Sequence, residues 1–149
     1  MDLPPFISEP APDHPGWNNW ALRDDTRFNG AILGRLLVRP GDAGKAWVRM
    51  FPEHRHSNFA QNLHGGTIVG FIDVALFGAS HQLGLLPGPS LTLDLSTQFI
   101  GPGTITEPLD AEVELLKETG RLLFLRGLVL QGDVRVAAFS GTIRKPSKR

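Results

Sequence analysis

The feature that most constrains this chain is an apolar run from Ile68 to Ala79 that one carboxylate interrupts. Every residue of the run except Asp73 is apolar or glycine. A helix that is apolar on all faces is normally buried on all faces, so the fold must enclose it. Burying a lone carboxylate is costly unless something compensates it, and such groups concentrate at functional sites. Asp73 is therefore either a structural group bonded to backbone amides or an Arg, or part of a site.

The start of the same helix favours a site. It reads His64-Gly65-Gly66, and the two glycines let another molecule approach the backbone closely. The first N–H groups of a helix have no partner within it and lie at the positive end of its dipole. Such a terminus suits a phosphate or a carbonyl oxygen that gains negative charge. One helix thus combines an element that can stabilise an oxyanion with a carboxylate.

The spacing of these two elements predicts a shared site. Gly65 and Asp73 are eight residues apart, which is about 12 Å of helix rise. One substrate carbonyl can hardly reach both groups in a single chain. A two-fold dimer with neighbouring antiparallel helices would bring the Gly65 of one subunit to the Asp73 of the other.

Composition excludes several classes of protein. The 149 residues suit one domain, and 15 basic and 15 acidic side chains give a formal net charge of zero. This balance favours no nucleic-acid partner and no membrane surface. The absence of cysteine excludes disulfides, thiolate metal sites and cysteine nucleophiles. We see no signal-peptide pattern, and the apolar helix is too short and interrupted for a membrane span, so we expect a soluble, cytoplasmic protein.

The chain before the helix has two parts. Residues 1–20 contain five of the twelve prolines, a density that predicts no regular structure there. Trp17 and Trp20 are expected to hold this arm against the body or a neighbouring subunit, and residues 18–30 to add a helical turn or two. Ala31–Arg39 and Lys45–Phe51 then read as two strands.

After the helix, which should end near Gly84, the apolar period changes to two. Leu91, Leu93 and Leu95 alternate with polar residues and predict a half-buried strand. The same alternation and two turn sequences predict three more strands, at 109–115, 121–131 and 134–143. The order β-β-α-β-β-β-β suggests a curved sheet wrapped around the helix, which a second copy would help to cover.

Asn58, His64-Gly65-Gly66 and Asp73, nine residues after the histidine, together resemble the signature of the hotdog-fold acyl-CoA thioesterases. The similar branch is the phenylacetate-pathway-like one of the 4-hydroxybenzoyl-CoA thioesterase superfamily, and the resemblance covers roughly residues 30–145. It implies an α+β hotdog fold, a curved antiparallel sheet around one long central helix. Residues 1–29 would be a proline-rich N-terminal arm and residues 30–149 the thioesterase domain.

The resemblance also implies roles for individual residues. The Gly65 amide would polarise the thioester carbonyl, and Asp73 of the facing subunit would act as nucleophile or as general base. Asn58 would place the water or hold the acyl carbonyl. Thr92 stands where a hydroxyl residue often accompanies the Asp, although a Thr on an alternating strand needs no functional explanation.

The implied partners follow from the same family. His64 and Gly66 would contribute to substrate binding at the helix entry, with His64 shaping that entry rather than acting as acid or base. The substrate would be an acyl-CoA, and neither a cofactor nor a metal is expected. The chain would form a homodimer, assembled further into a homotetramer.

Two weaker candidates have ordinary explanations. The pair His54 and His56 could ligate a metal if other ligands converged, but paired loop histidines are usually solvated. The basic tail could meet the phosphates of coenzyme A, although a frayed, solvated terminus is the more common explanation. The members of this tail are Arg144, Lys145, Lys148 and Arg149.

Other functions remain open at this level, because hotdog folds also serve as hydratases and ligand sensors. A hotdog dehydratase is disfavoured, since those enzymes resemble one another in an Asp–His pair near the helix start, whereas Asp73 lies mid-helix. The alternative to a thioesterase is a non-catalytic acyl-CoA-binding or regulatory module.

Overall fold

The structure, a computed structural model, describes residues 4–147 as one antiparallel sheet and one long helix. No helix within this range is both long enough and apolar enough to cross a membrane. The elements are β1 (Phe6–Pro10), β2 (Asn18–Leu22), β3 (Leu36–Pro40), β4 (Lys45–Met50), α1 (Gly65–Gln82), β5 (Leu91–Phe99), β6 (Leu109–Glu118), β7 (Leu122–Gln131) and β8 (Val134–Arg144).

The sheet has the order β1-β2-β3-β4-β6-β7-β8-β5, so β1 and β5 form its two edges. It curves around α1, which packs against β3, β4, β5, β6 and β8. Phe71, Ile72, Leu76 and Ala79 of the helix are fully buried in this core. The predicted hotdog architecture, a curved antiparallel sheet around one central helix, is confirmed.

The meander after the helix is also confirmed. Leu109, Ala111 and Val113 of β6 are buried, and the polar residues between them face outward, because alternate side chains of a strand point to opposite faces. Gly132, at φ 56°, makes the turn between β7 and β8 in a backbone region that side chains rarely adopt.

The predicted strand at Ala31–Arg39 is only half right. Its first residues belong to a π-helical turn, Asn29–Leu33, closed by the Gly34 N–H donating to the Asn29 carbonyl at 2.9 Å. Gly34 then leaves the turn at φ 83°, and β3 begins at Leu36. The helical turn expected in residues 18–30 is wrong at its start, where β2 is a strand.

The absence of regular structure expected in the N-terminal arm is wrong as well, because β1 and β2 pair as a hairpin. The prolines did not prevent the strands, because they lie at the end of a strand or outside the strands. Pro10 is the last residue of an edge strand, where a missing N–H breaks no ladder, and Pro12 and Pro15 lie in the connection. The domain boundary at residue 30 stays a prediction, although the arm continues the same sheet.

The two tryptophans hold this hairpin to the body, as predicted. Trp20 is 1% exposed; its ring stacks on Phe6 at 5.1 Å and packs against Gly78 of α1. Trp17 lies beneath two guanidinium groups, Arg39 at 4.9 Å and Arg49 at 4.5 Å from the ring centroid. Such contacts add to the stability of apolar burial.

In strand β5, the predicted orientation of the first side chains is wrong. Leu91 and Leu93 were expected to point inward, but they are 64% and 54% exposed, and Thr92 faces the helix instead. An irregular register between Thr92 and Asp94 leaves both Leu93 and Asp94 exposed, and Leu95 then packs against the core. One extra residue in a strand reverses every following face, which period-two reasoning does not anticipate.

Candidate active site

The start of α1 presents free backbone donors, and the Gly65 N–H is the first of them. His64 is the N-cap, and its Nδ1 accepts a hydrogen bond from the Gly66 N–H at 2.8 Å. The histidine thus shapes the helix entry, as expected, and occupies the Gly66 amide. The Gly65 N–H has no acceptor within residues 4–147. This amide is therefore free to donate to a bound oxygen.

The space around Gly65 is bounded by an aromatic ring. A Cβ at this position would lie 3.5 Å from Cζ of Phe99, which is ordinary van der Waals contact. The Phe99 side chain is 55% exposed at the end of β5. A flat group approaching the Gly65 amide would therefore pass an apolar edge.

The carboxylate of the helix lies beside the other end of β5. The Thr92 hydroxyl donates to Oδ1 of Asp73 at 2.7 Å, and both side chains are half-buried. No backbone amide and no Arg within residues 4–147 bonds Asp73, so the compensation that a structural carboxylate requires is lacking there. The all-round burial expected of the helix is wrong for the face that Gly70, Asp73 and Phe77 share, since all three are partly exposed.

Asn58 lies in the loop that leads into the helix. Its Oδ1 accepts the N–H groups of Ala60 and Asn62 at 2.9 and 3.0 Å, which fixes the loop. The amide nitrogen of the side chain has no partner in the described part of the chain. Asn58 therefore has a structural role through its oxygen and an unused donor.

The predicted site residues form two groups in one chain. Asp73 and Thr92 are in direct contact. Asn58, His64, Gly65 and Gly66 precede or open the helix, about 12 Å of helix rise from the carboxylate. A single chain does not bring the two groups to one point.

Of the histidine pair, His54 is exposed as expected, whereas His56 has a different, structural role. His56 is 2% exposed rather than solvated. Its Nδ1 accepts the Glu53 N–H at 2.9 Å, so its Nε2 carries the proton and donates to the Ile32 carbonyl at 2.6 Å. No group of three or more His, Asp or Glu side chains suited to a metal occurs within residues 4–147.

The basic tail is only partly described. Lys145 is not solvated as a frayed terminus would be: its Nζ pairs with Glu118 at 2.7 Å and its side chain is 12% exposed. Arg144 is exposed at the end of β8. Lys148 and Arg149 lie outside the described residues, so their part of the prediction is not addressed.

A cavity of about 660 Å³, which sequence reasoning missed, lies next to the Asp73 face of the helix. Its wall includes Phe6, Trp20, Phe77, His81, Leu86 and Ser90. The one local signal was the spacing of Phe77, four residues after Asp73 and therefore on the same helix face. Phe6 and Trp20 could not be placed there, because they come from a hairpin that was expected to be irregular.

The comparison with protein families decides the broad class. The profile of the thioesterase superfamily matches residues 60–138, more than half of the chain and nearly all of α1 through β8. The chain belongs to the thioesterase superfamily. The suspected resemblance is confirmed at this level, while the roles of the single residues stay predictions.

Solved structures with the same fold include proteins named for phenylacetic acid degradation. PaaI of Thermus thermophilus is 24% identical with a TM-score of 0.67, covering 80% of this chain and 98% of that one. PaaI of E. coli is 22% identical with a TM-score of 0.66, covering 78% and 86%. At these identities the likeness concerns the fold.

A conserved protein of Pseudomonas aeruginosa is similar to a comparable degree. It is 26% identical with a TM-score of 0.69, and the match covers 83% of this chain and 98% of that one. No curated protein matches the sequence. The comparisons therefore establish family and fold, and the substrate has to be argued from the site.

Proposed function

We propose that this member of the thioesterase superfamily hydrolyses an acyl-CoA thioester to the free acid and coenzyme A. The observation that supports this most directly is the Asp73 carboxylate, which Thr92 holds at one oxygen and which has no structural partner in residues 4–147. The free Gly65 N–H at the start of the same helix is the second element that thioester hydrolysis requires.

Two routes use these groups. As a general base, Asp73 takes a proton from water while the oxygen attacks the acyl carbon; the C–S bond then breaks and the thiolate of coenzyme A receives the proton. As a nucleophile, Asp73 attacks the acyl carbon, expels the thiolate, and a water cleaves the resulting anhydride. In both routes, negative charge develops on the carbonyl oxygen, where the Gly65 N–H would stabilise it.

The distance along the helix supports a site shared between two subunits. Gly65 and Asp73 of one chain are separated by about 12 Å of helix rise. Across a two-fold axis, the Gly65 of each subunit would act together with the Asp73 of the other subunit. The edge strand β5 presents exposed Leu91 and Leu93 and one unpaired backbone side, which suits pairing with a second copy. We propose a homodimer, which could assemble further into a homotetramer.

The remaining residues would position the substrate. The free side-chain nitrogen of Asn58 could donate to the acyl carbonyl or to the attacking water. His64 would act through the helix start, because its ring accepts the Gly66 N–H while the Gly65 N–H stays free to donate. Neither role requires a cofactor.

The test is Asp73→Asn, assayed with a panel of acyl-CoAs and a thiol-reactive dye. We expect turnover to fall by about a hundredfold or more, since a positioned base or nucleophile contributes at least that much. Asp133→Asn, in the exposed turn before β8, is the matched control and should retain activity.

Near-normal turnover by Asp73→Asn would contradict the proposed role of the carboxylate. A wild-type protein that binds acyl-CoA but releases no thiol from any of them would instead favour the non-catalytic binding module. Melting curves of both variants check that the substitutions leave the fold intact.

A further inference from the structure

The cavity beside Asp73 lies between the two edges of the sheet. Phe6 comes from β1, Trp20 from β2 and Phe77 from α1, and the opposite wall is the segment of residues 86–90 that leads into β5. The sheet curves so far around the helix that its first strand and the approach to its edge strand face each other there. The hairpin β1–β2 thereby closes the cavity on one side.

This cavity lies one helical turn from the proposed reaction centre, because Phe77 lines it and Asp73 does not. Asp73, Phe77 and His81 are spaced by four residues and share one helix face, with about 6 Å of rise per step. On the other wall, Ser90 lies two residues before Thr92, whose hydroxyl contacts Asp73. A group bound in the cavity would therefore have the carboxylate about one helical turn beyond Phe77.

The wall of the cavity is aromatic and uncharged. Phe6 and Trp20 stack at 5.1 Å with an interplanar angle of 7°, and the ring of His81 lies 6.1 Å from Phe6. No Lys, Arg, Asp or Glu from residues 4–147 lines it. Such a wall favours an apolar group over the phosphates of coenzyme A, which require cations or free N–H groups.

We infer that this cavity binds the apolar acyl group of the thioester and that the N-terminal hairpin determines which acyl groups fit. The inference rests on the proposed function and adds a specificity element to it. The family profile begins at residue 60, so the hairpin lies outside the matched part of the chain. Specificity would thus depend on a segment that is separate from the reaction centre in sequence.

The size of the cavity points to a substantial acyl group. Its volume of about 660 Å³ is within the range of small-molecule sites. An enclosed apolar cavity of about 150 Å³ already accommodates benzene. An acetyl group would leave most of the space empty, whereas an acyl chain of about ten carbons or an aryl-bearing acyl group would contact Phe6 and Phe77.

The experiment compares kcat/KM for decanoyl-CoA and acetyl-CoA. Phe6→Ala and Phe77→Ala each remove one aromatic ring from the wall that faces residues 86–90. Each should lower the decanoyl-to-acetyl ratio by about tenfold or more, as expected for the loss of contacts in an apolar pocket. Ile7→Ala is the matched control, because Ile7 neighbours Phe6 on β1 but does not line the cavity. It should leave the ratio unchanged.

A binding measurement separates failure of this inference from failure of the proposed function. Calorimetric titration of Asp73→Asn with decanoyl-CoA and free coenzyme A should show tighter binding of the acylated form, and Phe6→Ala or Phe77→Ala in that background should remove the difference. If the enzyme hydrolyses acyl-CoAs but the ratio and this difference survive both substitutions, the cavity inference is wrong and the proposed function stands.

If the wild type hydrolyses no acyl-CoA, the proposed function is wrong. The same titration of the wild type then tests by itself whether the cavity binds the acyl group. Equal affinities for decanoyl-CoA and coenzyme A would overturn the inference. Phe6→Leu and Phe77→Leu, which keep the walls apolar, serve if either alanine variant fails to fold.

Discussion

Thr92 is tied to the proposed chemistry by one hydrogen bond, to Oδ1 of Asp73 at 2.7 Å. A hydrogen bond to a charged group is worth about 1.5–3 kcal/mol. The hydroxyl therefore fixes the orientation of the carboxylate and leaves its second oxygen free. We therefore propose that Thr92 is a positioning residue rather than one that reacts.

Thr92→Val keeps the branched shape and removes the donor. We expect turnover to fall by about tenfold or more with little change in KM, because substrate contacts remain. Introduced into Asp73→Asn, the same substitution should cause little further loss. Thr97→Val is the control: its hydroxyl is also buried in β5 but has no partner in residues 4–147. If Thr92→Val and Thr97→Val lowered turnover equally, the loss would come from disturbance of strand β5 and not from the missing hydrogen bond to Asp73.

Ser80 gives a second test at the level of one side chain. It is fully buried in α1, and its hydroxyl has no hydrogen-bond partner within residues 4–147. An unsatisfied buried polar group costs about 1–3 kcal/mol. Ser80→Ala should therefore raise the free energy of unfolding by about 1 kcal/mol in urea titrations. Ala79→Ser, the reverse change one residue away, should lower it, and a loss of stability in Ser80→Ala would mean that the hydroxyl has a partner.

The start of helix α1 allows the effect of a backbone N–H to be tested separately from the effect of a side chain. Gly65 is the first residue of α1, a position where proline is well tolerated by the helix. Gly65→Pro removes the N–H and adds a ring that a helix start accepts, so kcat should fall by about a hundredfold or more while circular dichroism stays the same. Gly65→Ala keeps the donor and places its Cβ at an acceptable 3.5 Å from Phe99. The loss of kcat in Gly65→Ala should be much smaller. Similar losses of kcat in the two variants would show that the N–H at this helix end does not contribute to catalysis.

The N-terminal hairpin is tied down by an exposed ion pair. The Arg35 guanidinium donates to both oxygens of Asp13 at 2.7 Å, and this pairing holds the pKa of Asp13 below its usual range. A depressed carboxyl pKa in the folded state stabilises the hairpin above the unfolded pKa, and the contribution is lost as pH falls through the folded one. Because the pair is exposed, salt weakens it.

Docking of the hairpin should therefore weaken below about pH 4. Hydrogen exchange at the Trp20 amide reports this, since this residue of β2 is buried and its ring packs the hairpin against Gly78 of α1. Asp13→Asn should raise the exchange rate at neutral pH and flatten its dependence on acid. An unchanged profile would show that aromatic packing alone holds the hairpin.

For the whole molecule, the shared site makes a prediction that no single-chain site can meet. Asp73→Asn and Gly65→Pro would each inactivate a homodimer, but in a heterodimer one site receives both changes and the other receives neither. Purified heterodimers should approach half of the wild-type activity. Inactive heterodimers of verified composition would place the whole site in one chain.

The sequence predicted those parts of the molecule that local periodicity determines. Helix α1 follows from one continuous apolar run, and strands β6 to β8 follow from apolar alternation and the turn sequences between them. The pairing of Asp73 with Thr92 was expected from the family resemblance. Strands β1 and β2 were missed because proline density hides a hairpin that depends on its neighbours. The cavity was missed because its walls, such as Phe6 and Leu86, are distant in the chain.

The sheet order has a consequence for the nascent chain. Within residues 4–147, strand β5, which supplies the Thr92 contact to Asp73, pairs with β8 alone, and β8 is the last strand of that range in chain order. While the ribosome is still making residues 134–144, the apolar helix lacks part of its cover, and contacts this distant in sequence form slowly. The interval in which the chain is most prone to aggregate therefore ends with the same pairing event that completes the surroundings of Asp73.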